Sequence, residues 1–410
     1  MSEPLVIVGN GMAATRLVDE LTTLVPGKYA IAVVGDEPSL AYNRVLLSSL
    51  LAREIEPEDV ELKAAAWWRN RGVTLVYGRR ATEIDSKARF VRLRGGAKLG
   101  YSKLVLATGS EAVRLPLPGA ELPGVVTFRD KSDVESILSR ARPGARAVVI
   151  GGGLLGLEAA YGLMRAGAHV SVVHLMDRLM ERQLDPHAAG LLKDALEARG
   201  IQVLLNAESE AIQGRRKVAG LRLKDGRNVP ADLVVMAVGI RPNVRIARAA
   251  DLAVNRGIVV GDDLMTSDPH TYAIGECAEH RGTCYGLVEP AYEQARVLAR
   301  TLAGKAASYE GSLLSTNLKV SGVNVFSAGD FIGTAGSEPI VLTDPGRQSY
   351  RKMIVTGDKL TGAVLVGDTA DALWYLDLIR SGRPVTGLRD GLVFGRAFSE
   401  PAAEITAAAA

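Results

Sequence analysis

Short, wholly apolar runs alternate with amphipathic stretches along most of the chain. Leu5-Val6-Ile7-Val8 is the first such run, and it breaks at Gly9-Asn10-Gly11-Met12-Ala13-Ala14. A continuous apolar run bounded by glycine suits a strand buried on both faces. Helical spacing of apolar positions then continues to about Leu24, and a second run, Ala30 to Val34, stops at Gly35-Asp36-Glu37. Strand, glycine loop, helix, strand and acid in that order predict a βαβ unit. The order returns later: Ala147-Val148-Val149-Ile150, then Gly151-Gly152-Gly153-Leu154-Leu155-Gly156, a helix to about Ala166 closed by Gly167, and a strand from Val170 to Val173. This is an internal repeat at the scale of a whole nucleotide-binding fold. Two further buried runs, Leu104 to Gly109 and Leu233 to Gly239, also stop at glycine, where a chain can cross beneath a bound dinucleotide. Pro116, Pro118 and Gly119 punctuate a crossing between domains.

From about Leu313 the pattern changes to short strand candidates: Leu318–Val320, Asn324–Ser327, Ile340–Leu342, Lys352–Val355 and Ala363–Val366. Thr356-Gly357-Asp358-Lys359 reads as a hairpin turn, and a helix is expected from Ala370 to Arg380. The tail from Ala402 to Ala410 has little to bury and is expected to fray. The expected fold class is α/β, with two Rossmann-like dinucleotide-binding domains and a small C-terminal α+β domain. The first fold is expected over 1–112 and 245–312, the second over 113–244, and the C-terminal domain over 313–410.

Composition adds limits. At 410 residues the chain exceeds one ordinary core, and 47% hydrophobic with 23% charged residues is a globular balance. The formal net charge is +3 with Lys and Arg scattered, so no nucleic-acid footprint is indicated. Cys277 and Cys284 give neither a disulfide framework nor a metal spacing. The five histidines, His169, His174, His187, His270 and His280, include no i, i+4 metal pair, so no metal site is expected. The stretch from Ala147 to Ala168 is apolar but carries Glu158 and Arg165, which argues against a membrane span. With no basic leader before the first strand, a soluble, cytoplasmic protein is expected.

The glycine loops carry the chemistry. Free backbone N–H groups and the positive end of a helix dipole can hold a pyrophosphate. Gly9 and Gly151 permit the tight turn, and Gly11 and Gly153 clear space for the phosphates. Ala14 and Gly156 let helix and strand pack closely. Asp36 or Glu37 stands where a carboxylate would accept hydrogen bonds from a ribose diol; the two neighbours are not separated. In the second fold the equivalent place holds His174 rather than an acid. Arg178, a few residues on, can meet a 2′-phosphate or simply be solvated.

The order of these motifs resembles the two-dinucleotide flavoproteins, which include ferredoxin and rubredoxin reductases and the pyridine-nucleotide disulfide reductases. Three stretches bring it nearer still to the flavin-bearing part of NADH-dependent assimilatory nitrite and nitrate reductases: Gly9 to Ala13, Ala41-Tyr42-Asn43-Arg44-Val45-Leu46-Leu47-Ser48, and Thr266 to Ala278. Gly286 to Pro290 and Tyr292 to Ala295 continue that similarity, and the C-terminal domain is similar to the rubredoxin-binding type. The resemblance implies FAD in the first fold and NADH or NADPH, with a slight lean to NADH, in the second. It carries Gly275-Glu276 to the acid that holds the FAD ribityl chain, Arg44 to the FAD phosphates and ring, and Ala107-Thr108-Gly109 to the segment under FAD. Met12, Ala13, Ser48, Ala81 and Val288 join the same FAD side; Leu154 and Leu155 join the nicotinamide loop. Glu158 matches an acid near nicotinamide and flavin, so it and Arg44 are the candidate catalytic residues. Gly239 and Ile240 match the segment before Arg241-Pro242-Asn243 that lines the NAD(P) side.

The stretch from Ala41 to Ser49 lacks the cysteines that disulfide reductases place beside the flavin. Electrons are therefore expected to leave for an external redox protein: an iron–sulfur or haem reductase, a rubredoxin or a ferredoxin. Two cysteines are too few for a cluster held by four thiolates, so a separate electron-donating component is expected. The function implied is an NAD(P)H:acceptor oxidoreductase of nitrogen-oxide metabolism. The alternatives are a ferredoxin or rubredoxin reductase or an NAD(P)H oxidase without a nitrogen role and, more distantly, a flavin-bound redox sensor.

Overall fold

The computed structural model describes residues 2–320 and 322–400, so the tail expected to fray lies outside the described residues. The chain divides into two compact units. The first holds the residues up to Val113, Arg129–Glu135 and Gly239–Ser312. The second holds Arg114–Phe128, Ser136–Val238 and the residues from Leu313 onward.

In the first unit, Glu3–Val8 is the middle strand of a five-stranded parallel sheet. Tyr29–Val34 and Thr74–Val76 lie on one side, Lys103–Leu106 and Thr271–Ala273 on the other. All-parallel strands covered on both faces need apolar side chains pointing both ways, which is why these runs do not alternate. Leu5, Ile7, Leu104, Leu106 and Val33 are fully buried, each contributing roughly 1.5–3 kcal/mol of burial. The helix Met12–Leu24 packs against Val288–Leu302, and Ala14 on the first and Ala295 on the second are both fully buried.

The second unit repeats this sheet. Arg146–Ile150 is central, flanked by His169–Val173 and Gln202–Leu204 on one side and by Leu233–Met236 and Val125–Thr127 on the other. The outermost strand beside Leu233–Met236 precedes the glycine loop in the chain, whereas its counterpart in the first sheet, Thr271–Ala273, comes long after. Geometry is kept while chain order is not.

The same unit contains the C-terminal sheet, five antiparallel strands in the order Ser315–Val320, Val323–Gly329, Lys359–Val366, Ser349–Thr356 and Ser337–Asp344. Gly357, at φ +62°, makes the tight turn between Ser349–Thr356 and Lys359–Val366. The helix Ala372–Ser381 covers this sheet and ends at Gly382 in the left-handed conformation. Phe326, Met353, Leu365 and Tyr375 form the core between them. Asp185 ties the sheet to the nucleotide fold: it caps the helix Pro186–Glu197 at Ala188 N (2.9 Å) and accepts the Tyr350 hydroxyl (2.8 Å). Lys352 Nζ lies 3.3 Å from the same buried carboxylate, whose charge is thereby compensated. Among the described residues no helix is long and apolar enough to cross a membrane.

Candidate dinucleotide sites

The two glycine loops leave their sheets in the same way. Gly9 N–H donates to Val34 O (2.8 Å), and Gly151 N–H donates to Val173 O (2.9 Å). Gly9 has φ +123° and Gly151 φ +121°, a region that disfavours side chains. A Cβ at Gly9 would lie 2.0 Å from Ala107 O, and one at Gly151 2.2 Å from Ala237 O. The crossing strands therefore press on both loops where the sequence placed them. At Gly11 and Gly153, by contrast, a Cβ would meet nothing within 4 Å. Each loop thus has a first glycine that the protein needs and a second that leaves an open cradle at a helix start. Gly156 admits no Cβ either, since Gly151 O lies 2.0 Å from its position. Ala14 does the equivalent work in the first loop and is fully buried.

In the first unit, Glu37 is held by two neighbours. Its carboxylate pairs with the Arg44 guanidinium and accepts the Tyr42 hydroxyl at 2.6 Å. Arg44 Nη1 also donates to the Tyr42 oxygen (2.8 Å) and to Arg129 O (3.0 Å). Burial pushes the Tyr42 hydroxyl well above the usual phenol range, so it stays protonated and can donate to Glu37. Asp36 instead pairs with Arg80 at the surface. The structure brings Glu37 and Arg44 together, while Asp36 turns away to its own partner.

A second carboxylate lies deeper. Gly275, at φ +80°, donates its N–H to Gln294 Oε1 (2.7 Å), and a Cβ there would sit 3.1 Å from Ala13 Cβ. The turn is thereby held against the starts of both helices, and it presents Glu276, which pairs with Arg129 and accepts the Ser110 hydroxyl at 2.7 Å. Gly109 (φ +63°) follows Thr108, whose hydroxyl donates to Asn243 O (2.6 Å). Val288 opens the helix Val288–Leu302, Ser48 donates to Val45 O within a short helix, and Ala81 starts a strand of a separate small sheet. Gly239 and Ile240 belong to the first unit, where Ile240 pairs with Ala112.

In the second unit, Leu154, Leu155 and Glu158 lie in the opening turns of the helix Leu154–Arg165, each half-buried. His174 is turned inward: its Nδ1 accepts the Gly152 N–H at 3.0 Å, and its Nε2 faces Glu181 Oε2 at 3.2 Å. Arg178 pairs with its neighbour Asp177 (3.0 Å).

Sequence reasoning missed Arg129, Ser110, Gly152 and Glu181. Arg129 and Ser110 carry no local signal, because they reach Glu276 only through the fold. Gly152, the middle of three consecutive glycines, was the one visible clue to the His174 arrangement.

Residues 3–297 match the pyridine nucleotide-disulphide oxidoreductase family. The chain belongs to that family. Residues 315–383 match the rubredoxin NAD+ reductase C-terminal domain. The chain is 43% identical to an NAD(P)H nitrite reductase of Bacillus subtilis over 98% of its own length and 50% of that protein. It is 42% identical to the assimilatory nitrate reductase electron transfer subunit of the same organism, over 93% of this chain and 50% of that one. It thus spans about half the length of these curated relatives. Among solved structures, a ferredoxin reductase from Rhodopseudomonas palustris superposes with a TM-score of 0.85 at 29% identity, covering 96% of this chain and 100% of that one. Membership of this oxidoreductase family implies FAD and NAD(P)H. The two open cradles at Gly11 and Gly153 fit dinucleotide pyrophosphates, and Glu37 and Glu276 present carboxylate oxygens of the kind that can accept hydrogen bonds from hydroxyls.

Proposed function

We propose that this chain carries electrons from NAD(P)H through FAD to an external redox protein, as the electron-donating part of nitrite or nitrate assimilation. The cradle of the first unit would hold FAD, and that of the second the nicotinamide dinucleotide. When bound, FAD accepts a hydride from NAD(P)H and can release its electrons singly to a carrier. The protein's own part is to bind, orient and shield. The Gly9 and Gly151 loops hold the pyrophosphates, and Glu37 accepts from the FAD ribose with Tyr42 and Arg44 fixing it. Glu276, steadied by Arg129 and Ser110, accepts from the ribityl hydroxyls. Glu158 stands at the nicotinamide end of the second loop.

The observation that carries this reading is the state of the thiols. Cys277 is fully buried, its Sγ set against Leu106 O and Ile274 O, and burial pushes its thiol up. Burial likewise raises Cys284. Neither is an activated thiolate of the kind that relays electrons to a disulfide. Electrons therefore pass from the flavin to an acceptor other than these thiols, and free cysteines suit the reducing cytoplasm. The similarity to nitrite and nitrate reductase components favours a nitrogen-oxide acceptor module. A second reading, a rubredoxin or ferredoxin reductase without a nitrogen role, is favoured by the match of the C-terminal sheet.

The test is anaerobic titration of FAD-loaded protein with NADH and with NADPH, followed by acceptor addition. Bleaching of the visible flavin band and reoxidation by ferricyanide are expected. No bleaching by either nucleotide overturns the reductase reading. Faster reoxidation by a sirohaem or iron–sulfur module than by rubredoxin or ferredoxin supports the nitrogen role, and the reverse order supports the second reading.

A further inference from the structure

The residue that closes the second strand of a dinucleotide fold is where an acid ordinarily reads the ribose diol. Here that residue is His174, and it points into the loop. Its Nδ1 accepts the Gly152 N–H, so the ring proton resides on Nε2, which donates toward Glu181 Oε2 at 3.2 Å. A second tie runs the other way: Met180 N–H donates to Gly152 O at 3.0 Å. Met180 takes the left-handed conformation (φ +50°), unfavourable for a side chain of its kind, and is fully buried. Both backbone groups of Gly152 are thus spent on holding the segment that bears Glu181. The phosphate fingerprint leaves this middle position free, yet a Cβ at Gly152 would lie 2.6 Å from His174 Cγ and 2.7 Å from Leu179 Cδ2. Gly152 is required by the clamp.

The clamp delivers a carboxylate to the edge of the loop. Glu181 is 24% exposed, and among the described residues its one hydrogen bond is to His174, which leaves acceptor capacity on both oxygens. Leu175 and Met176, directly after His174, expose 58% and 44% of their surface, an apolar pair beside the clamp. Arg178, one of two arginines in this segment with the exposed Arg182, is engaged by Asp177.

We propose that Glu181, brought to the glycine loop by His174 and Met180, is the acid that reads the ribose 2′-hydroxyl and makes this chain prefer NADH to NADPH. A 2′-hydroxyl can donate to the carboxylate, whereas a 2′-phosphate is repelled by it and leaves it without a donor. His174 acts as a positioning residue. The proposal rests on the reading that the second loop binds a nicotinamide dinucleotide.

The experiment uses FAD-loaded full-length protein and two readouts. One is calorimetric affinity for ADP-ribose and for 2′-phospho-ADP-ribose, which needs no turnover. The other is the ratio of kcat/KM for NADH over NADPH. The native protein is expected to favour the unphosphorylated forms in both. Glu181→Gln is expected to lower both preferences by about tenfold, the scale of one charge-assisted hydrogen bond. Glu181→Arg is expected to reverse them, and Glu181→Asp to keep most of them. His174→Ala is expected to raise KM for NADH with kcat nearly unchanged. FAD content identifies variants that fold. Preferences within twofold of native in both Glu181→Gln and Glu181→Arg overturn the proposal, as does a native preference for the phosphorylated probe. Flavin bleaching by both nucleotides in those variants would show that the reductase reading survives such a failure. A native protein that binds neither probe overturns both.

Discussion

In the first fold the middle residue of the glycine loop is Asn10, and the residue closing the second strand is Gly35. In the second fold the sizes are exchanged: the loop carries Gly152 and the strand closes on His174. A Cβ at Gly35 would sit 2.7 Å from Asn10 Cβ, just as one at Gly152 would meet the His174 ring. One large and one small residue fill the same space from opposite sides. Asn10 reaches out of the loop, its Nδ2 donating to Ser39 O at 3.2 Å, beside the segment bearing Glu37. His174 reaches into the loop and bonds Gly152. Neither strand end supplies an acid. In each fold the carboxylate comes from further along, Glu37 braced by Tyr42 and Arg44, Glu181 by His174. The repeat keeps a volume rather than residues at matched positions.

That comparison can be broken most severely at Gly152. Gly152→Ala forces a methyl against His174 and Leu179, both buried, and is expected to cost about 1–3 kcal/mol, as overpacking does. Thermal unfolding checks the loss, and nucleotide titration should show weakened ADP-ribose binding with FAD content unchanged. A tolerated Gly152→Ala would show that the space is not shared as described. Next is Tyr42→Phe, which strips the 2.6 Å hydroxyl from Glu37; a hydrogen bond to a charged group is worth roughly 1.5–3 kcal/mol. Part of that is expected as faster FAD dissociation, measured by fluorescence of released flavin, while selectivity between NADH and NADPH stays native. The smallest effect is expected from Asn10→Ala, which loses one neutral hydrogen bond and about 1 kcal/mol or less. The sharper form is the pair: Gly35→Ala alone should destabilise, and Asn10→Gly should relieve it in the double variant. Simple additivity in that cycle would mean the two positions do not share the space.

Much of this was legible beforehand. The two strand–loop–helix units, the C-terminal strands and their hairpin at Gly357 follow from local periodicity and glycine placement, which act over a few residues. Tight turning and close packing are expected of Gly9, Gly151 and Gly156, and crowding carbonyls account for each. The sequence left open whether Asp36 or Glu37 faces the ribose. Packing gives the two different partners: Arg80 takes Asp36 at the surface, and Tyr42 with Arg44 takes Glu37. Arg129 was invisible because its partner Glu276 lies far away in the chain, and no spacing rule links the two.

The sequence by itself therefore determined where dinucleotide pyrophosphates can be held, since a tight turn, an open cradle and a helix start are local properties of the backbone. It also determined that no flavin-side thiol pair stands in the Ala41 to Ser49 stretch. Only the tertiary structure decided which carboxylates are presented and by whom. A side chain's direction depends on the volume its neighbours leave, and those neighbours are brought together by sheets whose strands come from distant parts of the chain. His174 reads as a missing acid in the sequence; in the fold it holds another acid in place.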